Sequence, residues 1–322
     1  MNRTMELDIW GGDWGLPSID LKCLQILTLS RISRVNLQVN VTNNPFKTPR
    51  GALPVFRCGK VVLDDVQDIA TYFRRNNYNS DFGLSSTECA DIVAYTHMLQ
   101  EKLLPIIQYT WWVDAKNFSE LSRPWYAKAL PFPLNFYYPG KYEKDAKMMV
   151  EAMFDVNDLT YIEFVLFSKA EACLGSLSVR LGDADFFSAH PSSLDAAVFA
   201  YLAPLLNAPL PSPALQNCLK NSTNLVAFIR RMSRQYFPEC IEWSNAAKPR
   251  VDLGPSAKDA DADFPYKRRN QIFAGLFATA AMATYAFSTG LVSVSTKSAA
   301  STEDIPDGYP DLFDHNDEGD DS

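Results

Sequence analysis

Hydrophobic positions change their rhythm partway along the chain. Over the first 78 residues they come in short alternating runs broken by turns, and from Leu84 onward they recur every three to four residues. Met5–Ile9 alternates through Leu7 and Ile9 and predicts a short strand. Gly11, Gly12, Gly15 and Pro17 follow as a turn. Leu21, Leu24, Leu27 and Leu29 or Ile32 then form a helical stripe. Leu37, Val39 and Val41 alternate as a second strand. Asn43-Asn44-Pro45 and Pro49-Arg50-Gly51 mark a long loop. Residues 54–57 and 60–63 flank Cys58-Gly59 and read as a hairpin. Asp64 or Asp65 caps a helix whose apolar positions are Val66, Ile69, Ala70 and Phe73. The order is β-α-β-β-β-α.

The second half reads as all helix. Ser85-x-x-Glu88 is a capping box opening a helix with Ile92, Thr96, Leu99 and Leu103 on one face. Residues 159–181 carry Leu166, Ala170, Cys173, Leu177 and Leu181 at helical spacing. Ser192-x-x-Asp195 is a second box, before Val198, Tyr201, Leu202 and Leu205. Residues 215–236 predict one long helix stopped by Pro238. Trp111 and Trp112 are expected in the core. The stretch 131–142 has no period and four Pro or Gly punctuations, which predicts a loop. Aromatic loops on a rigid scaffold are interaction sites, so Phe132, Phe136, Tyr137 and Tyr138 are the candidate partner interface. Residues 244–270 are rich in Ala, Pro, Asp and Ser without period, and read as a flexible linker.

A membrane helix is expected over 271–294. Ile272 to Val294 is a 23-residue run without a charge, and at about 1.5 Å per residue it reaches across a ~30 Å hydrocarbon core. Lys267, Arg268 and Arg269 flank it on one side and an acidic tail, 295–322, on the other. That bias places the body in the cytosol. A moderately apolar span with a basic flank, close to the C-terminus, fits the mitochondrial outer membrane, with the tail in the intermembrane space. The tail holds nine acids and one base, a net of −8 that equals the charge of the whole chain. The remainder is neutral. A neutral body argues against broad nucleic-acid binding, which needs a basic face to displace counterions. No cleaved signal peptide is visible at the N-terminus.

Candidate chemistry is sparse. The six cysteines lie at least 22 residues apart with no C-x-x-C, so neither a zinc knuckle nor a dithiol site is encoded locally. They read as small buried residues in a reducing compartment. Ser18, near the end of the first strand, is either a thiolate-stabilising hydroxyl or, the preferred reading, the N-cap of the first helix. Cys23 is expected to be packed. His97 has no Cys or Asp partner at a recognisable spacing, His190 reads as a loop residue and His315 lies in the tail. No phosphate-binding Gly-rich loop is present. Catalytic, cofactor and metal residues are therefore expected to be none.

The order of elements in the first 78 residues resembles a thioredoxin-like domain, and Leu53-Pro54 sits where that fold places a cis proline before its third strand. Such a unit followed by an all-helical half resembles the glutathione-transferase architecture, whose second domain opens its central helix with a Ser/Thr-x-x-Asp box. Ser192 and Asp195 occupy that place, after Phe186-Phe187. The fold class expected is α/β plus all-α, with a thioredoxin-like domain at 1–78 and a helical domain at 79–243. Where that pattern carries an acid and a Ser for a γ-glutamyl group, this chain reads Asp64-Asp65-Val66, without the Ser.

Longer motifs are more specific. Trp10-Gly-Gly-Asp-Trp-Gly-Leu-Pro17, Tyr78-Asn-Ser-Asp81, Glu101-Lys-Leu-Leu-Pro105, Trp111-Trp-Val-Asp-Ala-Lys-Asn117, Pro131-Phe-Pro-Leu-Asn-Phe136 and Ser193-Leu-Asp195 resemble the metaxin family in its 1 and 3 branch, and the C-terminal anchor points to the metaxin 1 side of it. The resemblance implies a non-enzymatic subunit of the sorting and assembly machinery that inserts β-barrel proteins into the mitochondrial outer membrane. It implies a metaxin 2-type partner and the β-barrel assembly core subunit, and for some members a mitochondrial Rho adaptor and kinesin. The alternative class is a membrane-anchored glutathione-dependent transferase or peroxidase.

Overall fold

The computed structural model describes residues 4–154 and 158–241, together with the helical positions Gly275, Leu276, Thr279 and Met282. The chain divides into two compact units, 1–265 and 266–322. The linker, the basic flank of Lys267, Arg268 and Arg269, the rest of the expected membrane helix and the acidic tail lie outside the described residues. Among the described residues no helix is long and apolar enough to cross a membrane.

The first unit opens with β1 (Met5–Ile9), α1 (Leu21–Ile32), β2 (Leu37–Val41), β3 (Val55–Cys58), β4 (Val61–Leu63) and α2 (Val66–Arg75). The strands form one sheet in the order β2-β1-β3-β4, with β1 parallel to β2 and the other pairs antiparallel. Register sets Leu7 beside both Val39 and Phe56, so the Leu7 and Ile9 side of β1 lies buried. Leu53-Pro54 is cis, as expected from its place before β3. Asp65 is the cap of α2, its carboxylate accepting from the Gln67 N–H at 2.8 Å.

Helices make up the remainder. They are α3 (Ser86–Met98), α4 (Leu104–Gln108), α5 (Ala115–Asn117), α6 (Arg123–Ala129), α7 (Leu134–Ala152), α8 (Leu159–Leu181), α9 (Ser193–Asn207), α10 (Ala214–Asn221) and α11 (Thr223–Tyr236). Wider π turns at Leu99–Leu103, Tyr109–Val113 and Phe118–Ser122 interrupt the run between α3 and α6. The axis of the body is α9. Every residue from Leu194 to Leu205 is buried, which is why its sequence is uncharged but for one capping acid and rich in Ala. α1 packs along it and is itself buried at Cys23, Leu24 and at every position from Ile26 to Ser30. The sheet half and the helical half thus share one core.

Both capping boxes are present, in different settings. Ser85 and Glu88 close theirs at the surface, whereas Ser192 and Asp195 are fully buried. Asp195 accepts from the Ser192 N–H and hydroxyl at 2.9 and 2.8 Å and from the Phe187 N–H at 2.9 Å.

Four expectations need correction. Residues 134–142 are the start of α7, not a loop. Pro139 lies inside the helix, where it forgoes a single backbone bond and the helix continues to Ala152. The single helix expected over 215–236 is two, parted at Ser222, because Asn224 donates to the carbonyls of Ser178 and Gly182 and pins the start of α11 to the end of α8. The N-cap of α1 is Asp20, not Ser18: its carboxylate accepts from the Cys23 N–H at 2.9 Å. Cys89 is exposed rather than packed, and Cys218 and Cys240 are only half-buried.

Candidate functional site

The loop after β1 is where a thiol-transfer enzyme of this architecture would hold its activating hydroxyl. Its course is fixed by glycine: a Cβ on Gly12 would sit 2.1 Å from the Leu16 carbonyl oxygen. Asn43 accepts from the Gly11 N–H at 2.7 Å and ties the loop to the end of β2. Ser18 follows, wholly buried, its hydroxyl accepting from the Asp20 N–H at 3.3 Å. Cys23 is likewise buried, and burial with the neighbouring Asp20 charge pushes its thiol well above the ordinary value. A neutral, enclosed thiol is not a nucleophile. Burial also raises the Asp20 carboxyl, against the Cys23 N–H that lowers it. Asp65 is engaged in its cap, and Asp64 pairs with Arg50 at 3.2 Å.

Indole rings occupy the space in front of this loop. Trp14 stacks on Trp111 with centroids 5.7 Å apart and meets Trp125 at 6.4 Å. Trp125 Nε1 donates to Asp13 at 2.8 Å, and Asn207 donates to the Trp14 carbonyl. Behind them Tyr126 packs edge-on to Trp10 at 5.1 Å and lies 4.9 Å from Trp112, which in turn meets Tyr142 at 5.3 Å. Trp111 and Trp112 are core, as their density in the sequence suggested. Burial, with Asp20 close by, lifts the Tyr126 and Tyr142 phenols above their ordinary range. What remains is a cavity of about 60 Å³ lined by Asp20, Gln108, Trp111, Trp112, Tyr126 and Tyr201. Ligand pockets are typically 300–1,000 Å³.

A larger groove, about 510 Å³, runs between α1, α2 and α3, with Leu29, Val66, Ala70 and Ile92 along it and Arg74 and His97 on its walls. Cys89 also faces it. His97 and Cys89 lie eight residues apart on α3, roughly 12 Å along the axis, too far for a base to deprotonate a nucleophile. His190 is held by the carbonyls of Pro191 and Phe82. Among the described residues no cluster of His, Cys, Asp and Glu is arranged to hold a metal.

The candidate interface residues divide. Phe136 and Tyr137 are 70% and 63% exposed on the first turn of α7, and Phe132 is 37% exposed just before it. Phe132 and Phe136 meet edge to face at 6.1 Å. Tyr138 is only 6% exposed and packs on Tyr142 inside the aromatic cluster, so it is not a surface ring. Helical geometry turns 136 and 137 outward and 138 inward, a separation the loop reading does not make.

Two motifs prove to be fasteners that sequence reasoning did not assign. Asp81 accepts from the Ser193 N–H and hydroxyl at 2.8 and 2.7 Å, and so caps α9 from a distant loop. Asn117, buried, exchanges two hydrogen bonds with the backbone of Ser212. Both join segments about 100 residues apart, which no local pattern signals.

Comparison with known proteins sets this architecture among relatives. The family described as outer mitochondrial membrane transport complex protein matches residues 23–143. The glutathione S-transferase C-terminal domain matches residues 170–232. Metaxin-1 of Sus scrofa is 41% identical over 299 residues, covering 91% of this chain and 93% of that protein. Metaxin-3 of Xenopus laevis is 39% identical over 237 residues, with coverage of 72% and 77%. The metaxin-1 homolog of Caenorhabditis briggsae is 32% identical over 316 residues, with coverage of 91% and 98%. Among solved structures, a beta-etherase from Sphingobium superposes with a TM-score of 0.52 at 17% identity, over 75% of this chain and all of that one. That likeness establishes a glutathione-transferase-like fold and nothing about activity.

Proposed function

The chain belongs to the metaxin family, and on that premise we propose that it works by binding, as a non-enzymatic subunit of the protein-transport machinery of the mitochondrial outer membrane. The matched family of outer-membrane transport complex proteins supports the import role. The observation that carries the non-catalytic part is the filling of the cleft by Trp14, Trp111 and Trp125, with Ser18 and Cys23 buried behind them. Neither Ser18 nor Cys23 faces a space large enough for a tripeptide thiol.

The body faces the cytosol, anchored by 271–294, with the acidic tail in the intermembrane space. A metaxin 2-type protein and the β-barrel assembly core subunit are its partners, and a mitochondrial Rho adaptor with kinesin is a further link. Phe132, Phe136 and Tyr137 supply part of the contact, since exposed rings on a rigid helix bury much area at little entropic cost. Native pull-down of the full chain from solubilised mitochondria, with identification of what is recovered, tests the partners. Retention on glutathione resin with turnover of a general electrophile would support the transferase alternative instead. Protease added to intact mitochondria should remove the body and spare the tail; the reverse pattern overturns the orientation.

A further inference from the structure

Charge is unevenly spread over the neutral body. Between Asp195 and Glu239 there is no acid, and this 43-residue stretch holds Lys220, Arg230, Arg231 and Arg234. Three of these cations fall on α11. Its buried side, Leu225, Phe228, Ile229 and Met232, locks the helix against the core. The opposite side therefore presents Arg230 and Arg234 one turn apart, both exposed. Ala227, Arg230, Arg231, Arg234 and Gln235 line a shallow, open depression of about 590 Å³.

The arginines are not equivalent. Arg231 is committed: it pairs with Asp185 at 3.0 Å, donates to the carbonyls of Ala184 and Asp185, and lies over the Phe186 ring. It forms a fixed wall. Arg230 and Arg234 make no ion pair among the described residues. Like charges at this spacing repel, which is unfavourable for the isolated helix. An anion between them relieves that repulsion, and guanidinium groups match phosphate oxygens in bidentate geometry.

We propose that the exposed face of α11, centred on Arg230 and Arg234, is a docking surface for the phosphate headgroups of an anionic bilayer. This rests on the outer-membrane reading above. A bilayer is the surface an anchored body meets most often, and its phosphates match Arg230 and Arg234, while the carboxylate beside them, that of Asp185, is engaged by Arg231. The surface holds the body in one orientation against the membrane.

The test uses the full chain with its anchor disabled by Ala280→Asp and Ala281→Asp. Flotation is measured with vesicles of phosphatidylcholine alone and with about 30 mol% anionic phospholipid. Expected is co-flotation with the anionic vesicles only, lost in high salt. Arg230→Gln with Arg234→Gln should lower partitioning roughly 30-fold, at about 1 kcal/mol per arginine near a charged surface. Arg74→Gln with Arg75→Gln on α2 should leave it unchanged. Circular dichroism checks that the variants fold. Equal partitioning of the Arg230/Arg234 variant, or equal binding to neutral vesicles, overturns the proposal. So does binding of inorganic phosphate at millimolar concentration that displaces the vesicles, since the depression is then a soluble-anion site. Carbonate extraction of the unmodified chain separately tests the anchor, so failure of the membrane reading and failure of the docking face are distinguishable.

Discussion

Two sets of aromatic side chains lie close in sequence within the helical half and meet opposite fates. Trp111, Trp112, Trp125 and Tyr126 turn inward, with Tyr138 and Tyr142 of α7, and pack against Trp10 and Trp14 of the sheet half. Phe132, Phe136 and Tyr137 remain at the surface. The inward set closes the cleft that this architecture otherwise offers to a small thiol. On the binding role proposed above, the outward set is the surface offered to a partner. Closing one and opening the other is what a scaffold requires if it descends from an enzyme-like fold.

Substitutions in the two sets should separate most widely in stability. Trp112→Ala or Tyr138→Ala removes a ring packed on several others, and the expected loss is about 3–5 kcal/mol. Phe136→Ala with Tyr137→Ala should stay within about 0.5 kcal/mol of the parent, because both rings are mostly exposed. Denaturant midpoints at constant m-value measure both. Similar losses at the two places would mean that the outward rings are core after all.

The capping boxes repeat the contrast with polar groups. Asp195→Ala leaves the Ser192 N–H and hydroxyl and the Phe187 N–H without an acceptor in a buried place, an expected loss of about 3 kcal/mol. Glu88→Ala removes an exposed box whose donors can turn to water, and about 0.5–1 kcal/mol is expected. Equal effects on the unfolding midpoint would show that burial does not set the value of a cap here.

A smaller effect follows from Asp195 itself. Burial raises its folded-state pKa above the ordinary 3.8, so the folded chain holds more protons than the unfolded chain between those two values. Stability from this group is therefore lost as pH rises through that window and constant above it. Comparing unfolding of the parent and Asp195→Asn from pH 3.5 to 7, the parent's advantage should shrink as pH rises. An advantage that grows contradicts the sign.

Much of this was readable from the chain because local rules governed it. The β-α-β-β-β-α order followed from period-two runs separated by Gly and Pro, and both boxes declared themselves by spacing. Pro54 stood in place by its position before β3. What escaped was decided by distance or by competition. Ser18 and Asp20 both suit an N-cap, and only the position of the Cys23 N–H chooses between them. Asn224 splits the last long helix by reaching α8, and Asp81 caps α9 across 112 residues. Pro139 and Gly140 read as breaks, yet α7 runs through both, with Pro139 and its neighbour Tyr138 buried against the aromatic cluster. Cys89 faces solvent because α3 has no buried residue at all, a fact about its neighbours rather than its own pattern.

Recovery of partners from solubilised mitochondria tests the binding role most directly, using the full chain and its Phe136→Ala/Tyr137→Ala variant, with glutathione-dependent turnover assayed on the same preparations. The expected result is a metaxin 2-type partner and the β-barrel assembly core recovered with the parent. Recovery with the variant should fall at least about tenfold, as for loss of hot-spot rings, and neither preparation should turn over. Undiminished recovery with the variant, together with turnover that disappears in Ser18→Ala, would contradict it and make the filled cleft an active one.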